Sequence, residues 1–342
     1  MITETLTLLQ PRNDIESWQQ TLAQGFRDPE QLFAALAIPP NQRPSLSRNH
    51  GTFPLRVPRG YVARMRLADP CDPLLRQVLP LADEDNVSPG YTHDPVADLE
   101  AVTAPGLLQK YHGRALLITT GACAIHCRYC FRRHFPYQDQ HARQDNWRQA
   151  VAMLRKDEHI TEVILSGGDP LLLATTHLKD LGDQLATLGH IKRLRLHTRL
   201  PVVLPERIND TLLDWLDGLP FQTVIVIHAN HPAEIDDSVI QALAKLKQHR
   251  VTLLNQAVLL KGVNDDSDIL ARLSETLFAA GVLPYYLHQL DKVQGAGHFE
   301  VTNDVAIELH EQLRRRLAGY LVPQLVYEQP GAKNKLPLRI KP

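Results

Sequence analysis

The sequence predicts an α/β fold with a parallel sheet, and two observations carry this prediction. From residue 115 onward, short apolar runs of strand type alternate with amphipathic helical segments. After a longer first interval, the strand-like runs start about every 30 residues, which is the length of one strand–helix–strand unit. Six such runs can form either a doubly wound sheet or an incomplete barrel. The predicted strands span 115–120, 162–167, 193–198, 223–229, 251–259 and 283–289.

Amphipathic helices are predicted between these strands, and one more follows the last strand. Apolar residues recur there at spacings of three and four, so that one face of each helix can pack on the sheet. The predicted helices lie near 145–155, 177–188, 209–217, 236–249, 267–280 and 304–318.

The first 104 residues differ in character and are predicted to form a helical and irregular extension. Asp28 followed by Pro29 is typical of a helix start, because aspartate caps a helix and proline fits its first turn. A second helix is expected near Leu74, after the Asp-Pro step at Asp72. Residues 80–106 carry no strong strand signal. The predicted division is an N-terminal extension (1–104), an α/β core (105–320) and a C-terminal segment (321–342).

Composition argues against two broad classes of partner. The 342 residues carry a formal net charge of −1 and no long basic stretch, so no nucleic-acid surface is expected. No apolar run reaches the length of a membrane span, and the N-terminus lacks the features of a signal peptide. We therefore expect a cytoplasmic protein in a reducing environment.

The most informative motif is the loop that follows the first predicted strand. Cys123, Cys127 and Cys130 stand in a C-x3-C-x2-C pattern and make up three of the four cysteines. The odd number and the reducing environment disfavour a disulfide framework. Structural zinc usually needs four ligands, and the chain has no second cysteine pair. Three thiolates suit a 4Fe-4S cluster whose fourth iron has an outside ligand. Cys71, which stands apart, is expected to be a free thiol.

Polar or glycine-containing groups follow or end five of the six predicted strands, and one such pair lies within the remaining strand. In a parallel α/β sheet the carboxyl ends of the strands lie along one rim, where functional residues collect. The sequence thus predicts one site that combines these groups with the cysteine loop. Besides that loop, they are residues 166–170, 197–199, 228–231, 255–256 and 288–291.

The combination of motifs resembles the radical S-adenosylmethionine (radical SAM) enzymes and, within them, the lysine 2,3-aminomutase family. The last cysteine is followed closely by Arg132 and Arg133, as in these enzymes. The resemblance implies a partial (β/α)6 barrel of the TIM type, which is the radical SAM fold. The segments that carry it are 105–107, 123–133, 166–170, 201–208, 228–235, 255–265 and 285–299.

The resemblance also implies the first two cofactors. The three cysteines would hold the 4Fe-4S cluster, and S-adenosyl-L-methionine would bind its fourth iron. The glycines of the segment after the second strand would allow the backbone to approach this ligand closely, because they lack Cβ. The implied contacts of S-adenosylmethionine are Ser166, Gly167, Gly168, Asp169, His228 and Gln256.

A third cofactor, pyridoxal 5′-phosphate, is implied by the C-terminal segment. Residues 330–337 resemble the glycine-containing segment in which a lysine of the family binds this cofactor covalently, and Lys335 takes that position. Lys333 is a competing amine two residues earlier. Three further residues resemble the group that surrounds the phosphate and ring oxygen in the family: Lys110, Tyr111 and Arg114.

The substrate implied by the resemblance is lysine. Arg132 matches the arginine that binds the substrate carboxylate in the family, and a planar guanidinium suits that role. Asp291 matches one of two aspartates that bind the remote ammonium group. The second position falls on Glu328, which keeps the charge but adds one methylene. A glutamate substrate would instead need a cation at these two positions.

Within the family, the chain resembles the branch that acts in β-lysylation of bacterial elongation factor P. Four features carry this likeness: the N-terminal stretch that ends at residues 57–59, segments 134–137 and 285–296, and the short stretch after Lys335. The implied reaction converts (S)-α-lysine to (R)-β-lysine and uses an external one-electron reductant. The implied functional partners are elongation factor P and its lysyl-tRNA-synthetase-like ligase. The alternatives are a metabolic lysine or glutamate 2,3-aminomutase and a non-catalytic metal-binding module.

Overall fold

A computed structural model gives the structure of residues 17–49, 51, 53–140 and 145–339. In this part of the chain, ten strands form one sheet whose spatial order follows the sequence. The strands are β1 (Val102–Ala104), β2 (Leu107–Leu108), β3 (Arg114–Thr120), β4 (Glu162–Gly167), β5 (Arg193–Thr198), β6 (Gln222–Ile227), β7 (Val251–Val258), β8 (Leu283–His288), β9 (Gln324–Tyr327) and β10 (Leu336–Pro337).

The sheet is parallel in its centre and antiparallel at both edges. Strands β3 to β9 run parallel to one another. β1 and β2 form an antiparallel hairpin beside β3, and β10 pairs antiparallel with β9. A doubly wound sheet reverses its strand order at a switch point, whereas each strand here pairs with the next one in sequence. Because β1 and β10 each have a single neighbour in the described chain, the sheet is an open, partial barrel.

The six predicted strands correspond to β3 through β8, with small differences at their ends. The predicted fold class is therefore confirmed. The sequence reasoning missed β9, which adds a seventh parallel strand. It also missed β1, β2 and β10, which are two or three residues long and too short for a periodic signal.

Eleven α-helices occur in the described residues, and the long ones connect successive parallel strands. None of them is long and apolar enough to cross a membrane. The helices are α1 (Ser17–Ala23), α2 (Pro29–Ala35), α3 (Arg59–Val62), α4 (Pro73–Arg76), α5 (Asp145–Lys156), α6 (Thr175–Ala186), α7 (Leu200–Val203), α8 (Asp210–Asp217), α9 (Asp237–Gln248), α10 (Ser267–Ala279) and α11 (Asn303–Arg316).

Side-chain caps explain where helices of the extension begin. Asp28 accepts a hydrogen bond from the backbone N–H of Glu30 at the start of α2, and Pro29 occupies the first turn. Asp72 caps α4 in the same way. These are the two helix starts that the sequence predicts there. Each such cap contributes about 1 kcal/mol.

One continuous apolar core joins the extension to the sheet. Trp18 and Phe33 of the extension belong to the same cluster of buried side chains as Leu165 of β4. Trp18 also lies under the buried Arg207, with 4.9 Å between its ring centroid and the guanidinium carbon. The extension is thus part of the scaffold that supports the rim of the sheet.

Candidate active site

The cysteine loop connects β3 to α5 and is fixed by the N-terminal extension. The backbone N–H of His126 donates to the carbonyl of Arg56 at 3.0 Å. The N–H of Arg128 donates to the carbonyl of Gln77 at 2.9 Å. Nδ1 of His126 lies 2.8 Å from the carbonyl oxygen of Pro54. The path of the loop is therefore set by residues far from it in sequence.

A buried ion-pair cluster fastens the same loop. Glu84 of the extension pairs with Arg128 at 2.5 Å and with Arg133 at 2.6 Å. The side chains of Glu84 and Arg128 are only 2% and 1% exposed. The guanidinium of Arg128 also lies over the Phe53 ring, 4.7 Å from its centroid. Sequence reasoning missed Glu84, because a single acidic residue in an irregular segment carries no local signal.

The three thiols are half-buried and close enough to influence one another. Burial and the charge of Cys127 raise the pKa of Cys130 to about 11. Burial and the charge of Cys130 raise the pKa of Cys123 well above its usual range. Among the described residues, no three or more His, Cys, Asp or Glu side chains are arranged to hold a single metal ion. A 4Fe-4S cluster differs from a single ion, because each cysteine binds a different iron. The three thiols of this loop are donors of the kind that such a cluster needs.

Two glycines allow the loop after β4 to touch the cysteine loop. A Cβ on Gly168 would lie 2.2 Å from the carbonyl oxygen of Ala122. Gly167 has a φ of +112°, which favours glycine, and its carbonyl accepts a hydrogen bond from the hydroxyl of Tyr137 at 2.7 Å. The space that these glycines leave is filled by protein. Their structural role is thus loop packing, and their contact with S-adenosylmethionine stays a prediction.

Asp169 and Ser166 are both engaged within the protein. The Asp169 carboxylate accepts hydrogen bonds from the Thr198 hydroxyl and the Arg199 backbone N–H, both at 2.7 Å. It therefore joins the ends of β4 and β5. The Ser166 hydroxyl accepts a hydrogen bond from Nη1 of Arg132 at 3.1 Å. Both residues lie at the predicted rim, where Ser166 connects β4 to the cysteine loop.

His228 and Gln256 lie after β6 and on β7, respectively. Nε2 of His228 is 3.1 Å from the Tyr129 hydroxyl, and the two rings stack with centroids 5.6 Å apart. Burial and the charge of Arg199 lower the pKa of His228 to about 3, so its ring is neutral at physiological pH. Asn255 is buried and bonds the backbone after β6. The alternation along β7 leaves Gln256 half-buried, on the more open face.

The C-terminal hairpin brings Lys335 against Glu328. Their charged atoms are 2.6 Å apart. The Tyr111 hydroxyl donates to the other carboxylate oxygen of Glu328 at 3.1 Å, and Nζ of Lys110 lies 3.5 Å from it. Although burial opposes ionisation, the ammonium of Lys335 lowers the pKa of Glu328 to about 2. Lys333 is exposed whereas Lys335 is half-buried. The covalent binding of pyridoxal phosphate by Lys335 stays a prediction.

A second buried carboxylate, Asp98, links this group to the cysteine loop. Its Oδ1 lies 2.6 Å from Nζ of Lys110, and its Oδ2 accepts a hydrogen bond from Nε of Arg132 at 2.6 Å. Despite burial, these two cations lower the pKa of Asp98. Sequence reasoning missed Asp98. The contacts form one continuous series of residues: Arg132, Asp98, Lys110, Glu328 and Lys335.

Arg114 completes the group predicted around pyridoxal phosphate. It begins β3, and its guanidinium carbon lies 5.5 Å from the centroid of the Tyr111 ring. Tyr111 therefore stands between Arg114 and the carboxylate of Glu328. Lys110 shares the partner Glu328 with the half-buried amine of Lys335, and Arg114 lies against Tyr111 of the same group. An amine and two cations in one group fit a cofactor that carries an aldehyde and a phosphate.

A cavity of about 1110 Å³ opens beside these charges and is lined by Asp291 and Glu328. Burial and the charge of Glu328 raise the pKa of Asp291 to about 7. Leu290, Tyr327 and Pro337 also line the cavity. The three cysteines, which are all within the described chain, do not line it. The open space therefore adjoins the predicted ammonium site and not the cluster site.

Comparison with known proteins gives a consistent picture. The model of the Radical SAM superfamily matches residues 117–273. L-lysine 2,3-aminomutase of Escherichia coli (strain K12) is 46% identical over 327 residues, which are 95% of this chain and 95% of that protein. L-lysine 2,3-aminomutase of Haemophilus influenzae is 43% identical and covers 94% and 95%, respectively. A solved radical SAM methyltransferase from Sphaerobacter thermophilus is 17% identical, with a TM-score of 0.45, and the match covers 65% of this chain and 68% of that chain.

An open barrel of parallel strands with a three-cysteine loop after its first parallel strand defines the protein as a radical SAM enzyme. The structural likeness to the methyltransferase is too low to add to this assignment, but the two sequence matches cover 95% and 94% of this chain. The chain belongs to the lysine 2,3-aminomutase family and is an isomerase.

Proposed function

We propose that this protein converts (S)-α-lysine to (R)-β-lysine by moving the amino group from carbon 2 to carbon 3. The observation that carries the proposal is the series of contacts from Arg132 to Lys335. This series connects the cysteine loop, through Arg132, to Glu328 and Lys335. The proposed roles of these three residues are to bind the substrate carboxylate, to bind the remote ammonium and to hold pyridoxal phosphate, respectively. The names of the two aminomutases compared above support the same reaction.

Three cofactors belong to this proposal. Cys123, Cys127 and Cys130 would hold the 4Fe-4S cluster, S-adenosylmethionine would bind beside it, and Lys335 would hold pyridoxal phosphate. When bound, the cluster and S-adenosylmethionine supply hydrogen-atom abstraction with one electron from an external reductant, and pyridoxal phosphate carries the migrating nitrogen. The protein must place carbon 3 of the substrate within contact of the abstracting group and keep water out.

Arg132 is the proposed anchor for the substrate carboxylate. Its Nε is held by Asp98, and its Nη1 is held by Ser166. These two contacts fix the plane of the guanidinium, which is the requirement for bidentate recognition of a carboxylate. Asp98, which also pairs with Lys110, therefore orients the guanidinium of Arg132.

The pairing of Lys335 with Glu328 suggests how the acidic pair becomes available. The ammonium of Lys335 neutralises Glu328 in this structure. If Lys335 held pyridoxal phosphate, its amine would no longer pair with Glu328 as it does here, and Glu328 together with Asp291 would offer carboxylates to the remote ammonium of lysine. Two anions at this position favour lysine over glutamate, because the side-chain carboxylate of glutamate would meet like charges.

An anaerobic assay tests this function directly. The reconstituted protein is mixed with lysine, S-adenosylmethionine, pyridoxal phosphate and dithionite, and β-lysine is measured by mass spectrometry. We expect about four irons per chain, cleavage of S-adenosylmethionine on reduction, and β-lysine as the product. Glutamate in place of lysine should give no β-amino acid. Binding of zinc without iron, or cleavage without any β-lysine, would contradict the proposal.

We further propose that the β-lysine serves β-lysylation of elongation factor P in the cytoplasm. The likeness of segments 134–137 and 285–296 to that branch of the family supports this role. The test combines the active enzyme with lysine, elongation factor P and its lysyl-tRNA-synthetase-like ligase, and measures the intact mass of elongation factor P. Modification should be faster with the active enzyme than with a Lys335→Ala variant. Equal rates would argue for a metabolic role instead.

A further inference from the structure

Arg199, which directly follows β5, places its guanidinium against the cysteine loop. Its Nη1 donates a hydrogen bond to Sγ of Cys127 at 2.7 Å. Its Nη2 pairs with Glu234 at 2.8 Å. The side chain is 7% exposed and that of Glu234 is fully buried. Arg199 is therefore a buried cation in direct contact with a candidate cluster ligand.

Two residues of the N-terminal extension hold this guanidinium in place. Nη2 of Arg199 also donates to Oε1 of Gln77 at 2.8 Å and to the hydroxyl of Tyr61 at 3.2 Å. Gln77 in turn donates to the Glu234 carboxylate at 3.1 Å. Because Cys127 binds one terminal nitrogen and three scaffold residues bind the other, the guanidinium has little freedom to move away from Cys127.

The charge of Arg199 is expected to affect the reduction potential of a cluster bound to Cys127. Each one-electron reduction adds one negative charge to an iron–sulfur cluster. Cluster potentials respond to nearby charge and to hydrogen bonds on the cysteine sulfurs. A fixed cation at hydrogen-bond distance from a ligand sulfur stabilises the reduced cluster more than the oxidised one, and its burial limits solvent screening.

We propose that Arg199 is a positioning residue that, through its contact with Cys127, raises the reduction potential of the cluster, so that an external one-electron donor can reduce it. This inference rests on the proposed function, because it requires a cluster on Cys127. It adds a role to a residue outside the ligand set, and it explains why the extension reaches the end of β5.

The test measures the reduction potential of the reconstituted cluster without S-adenosylmethionine. The variants are Arg199→Gln, Arg199→Lys and, as a matched control, Arg193→Gln. Arg193 is the first residue of the same strand, at the end opposite Arg199, and its side chain is 40% exposed. Anaerobic potentiometric titration is followed by electron paramagnetic resonance of the reduced cluster, and iron content is measured for each protein.

We expect the ratio of reduced to oxidised cluster at a fixed applied potential to fall at least tenfold in Arg199→Gln, which is about 59 mV for a one-electron couple. Arg199→Lys keeps the charge but loses the planar fork, so its shift should be smaller. Arg193→Gln should match the wild type. A wild-type potential in Arg199→Gln with full iron content would overturn the inference and leave the proposed function intact, whereas a wild-type protein without iron would overturn both.

Arg199→Gln leaves the buried Glu234 unpaired and could fail to hold iron for that reason. The double variant Arg199→Gln/Glu234→Gln removes both charges and avoids this problem. A lowered potential in the double variant supports the inference. Loss of iron from both variants with wild-type circular dichroism would overturn it, because Arg199 would then serve cluster retention and not its potential.

Discussion

The cysteine loop and the group around Lys335 are stabilised in opposite ways. Charged residues in and beside the cysteine loop pair with scaffold residues, as Arg128 does with Glu84. Around Lys335, the candidate ligand-binding residues pair with one another, as Lys335 does with Glu328. The cysteine loop is thus held by residues of the N-terminal extension, whereas the charges around Lys335 neutralise one another.

This difference indicates how each region responds to its ligands. Scaffold pairs can persist when a cluster binds, so the cysteine loop is preorganised. The pair of Lys335 with Glu328 must open when a ligand takes either charge, because each of these two charges is already paired. Substitutions should therefore act on assembly and stability at the cysteine loop, and on ligand binding around Lys335.

The largest effect should come from the cysteine loop itself. Cys127→Ala removes one of three thiolates, and the remaining two cannot hold the cluster in the same way. We expect bound iron and cleavage of S-adenosylmethionine to fall to background after anaerobic reconstitution. Cys71→Ala, at an exposed free thiol, is the matched control and should behave as the wild type. Full iron content in Cys127→Ala would remove this cysteine from the ligand set.

Lys335→Ala should abolish covalent binding of pyridoxal phosphate. The half-buried amine is the proposed attachment point, and alanine offers no nucleophile. We expect loss of the absorbance of the bound cofactor and of β-lysine formation, while iron content stays at the wild-type level. Lys333→Ala is the control and should keep both. The reverse result, with absorbance lost only in Lys333→Ala, would assign the cofactor to the exposed amine.

Glu84→Gln should lower the free energy of unfolding by about 3–5 kcal/mol, because it leaves two arginines near the cysteine loop without their shared carboxylate. Glu300→Gln is the control. Glu300 pairs with Lys292 at 3.2 Å, but the two side chains are 42% and 56% exposed, so the loss should be below about 1 kcal/mol. Urea unfolding of both variants measures the difference. Equal losses would show that Glu84 does not clamp the loop.

The fold could be predicted from the sequence because its signals are local. Strands β3 to β8 are apolar runs at a regular interval, and each can be recognised without its neighbours. β10 could not, because it has two residues and one of them, Pro337, cannot donate to a ladder. β9 is four residues long and lies beyond the last regular repeat.

The candidate site was predictable only where its residues belong to motifs. Cys123–Cys130 can be read as a pattern, and Lys335 as part of a resembling segment. Asp98 and Glu84 belong to no motif, and Arg199 is expected at the rim without a partner. These three residues contact the site across 34 to 72 residues of chain. An isolated charged residue is usually solvated, so only the folded chain reveals that these three are buried and paired.

The smallest effect should be a pH dependence of substrate binding that originates at Asp291. Its pKa is raised to about 7 by burial and by Glu328, so the carboxylate loses its charge as the pH falls through this value. The ammonium of lysine, with a pKa near 10.4, stays charged throughout. We expect kcat/KM for lysine to fall about tenfold from pH 8 to pH 6, since the ionised fraction of such a group falls by about this factor. Asp291→Asn should be less active at pH 8 and lack this pH dependence. A profile unchanged by Asp291→Asn would place the titrating group elsewhere and leave Glu328 as the only anion for the remote ammonium.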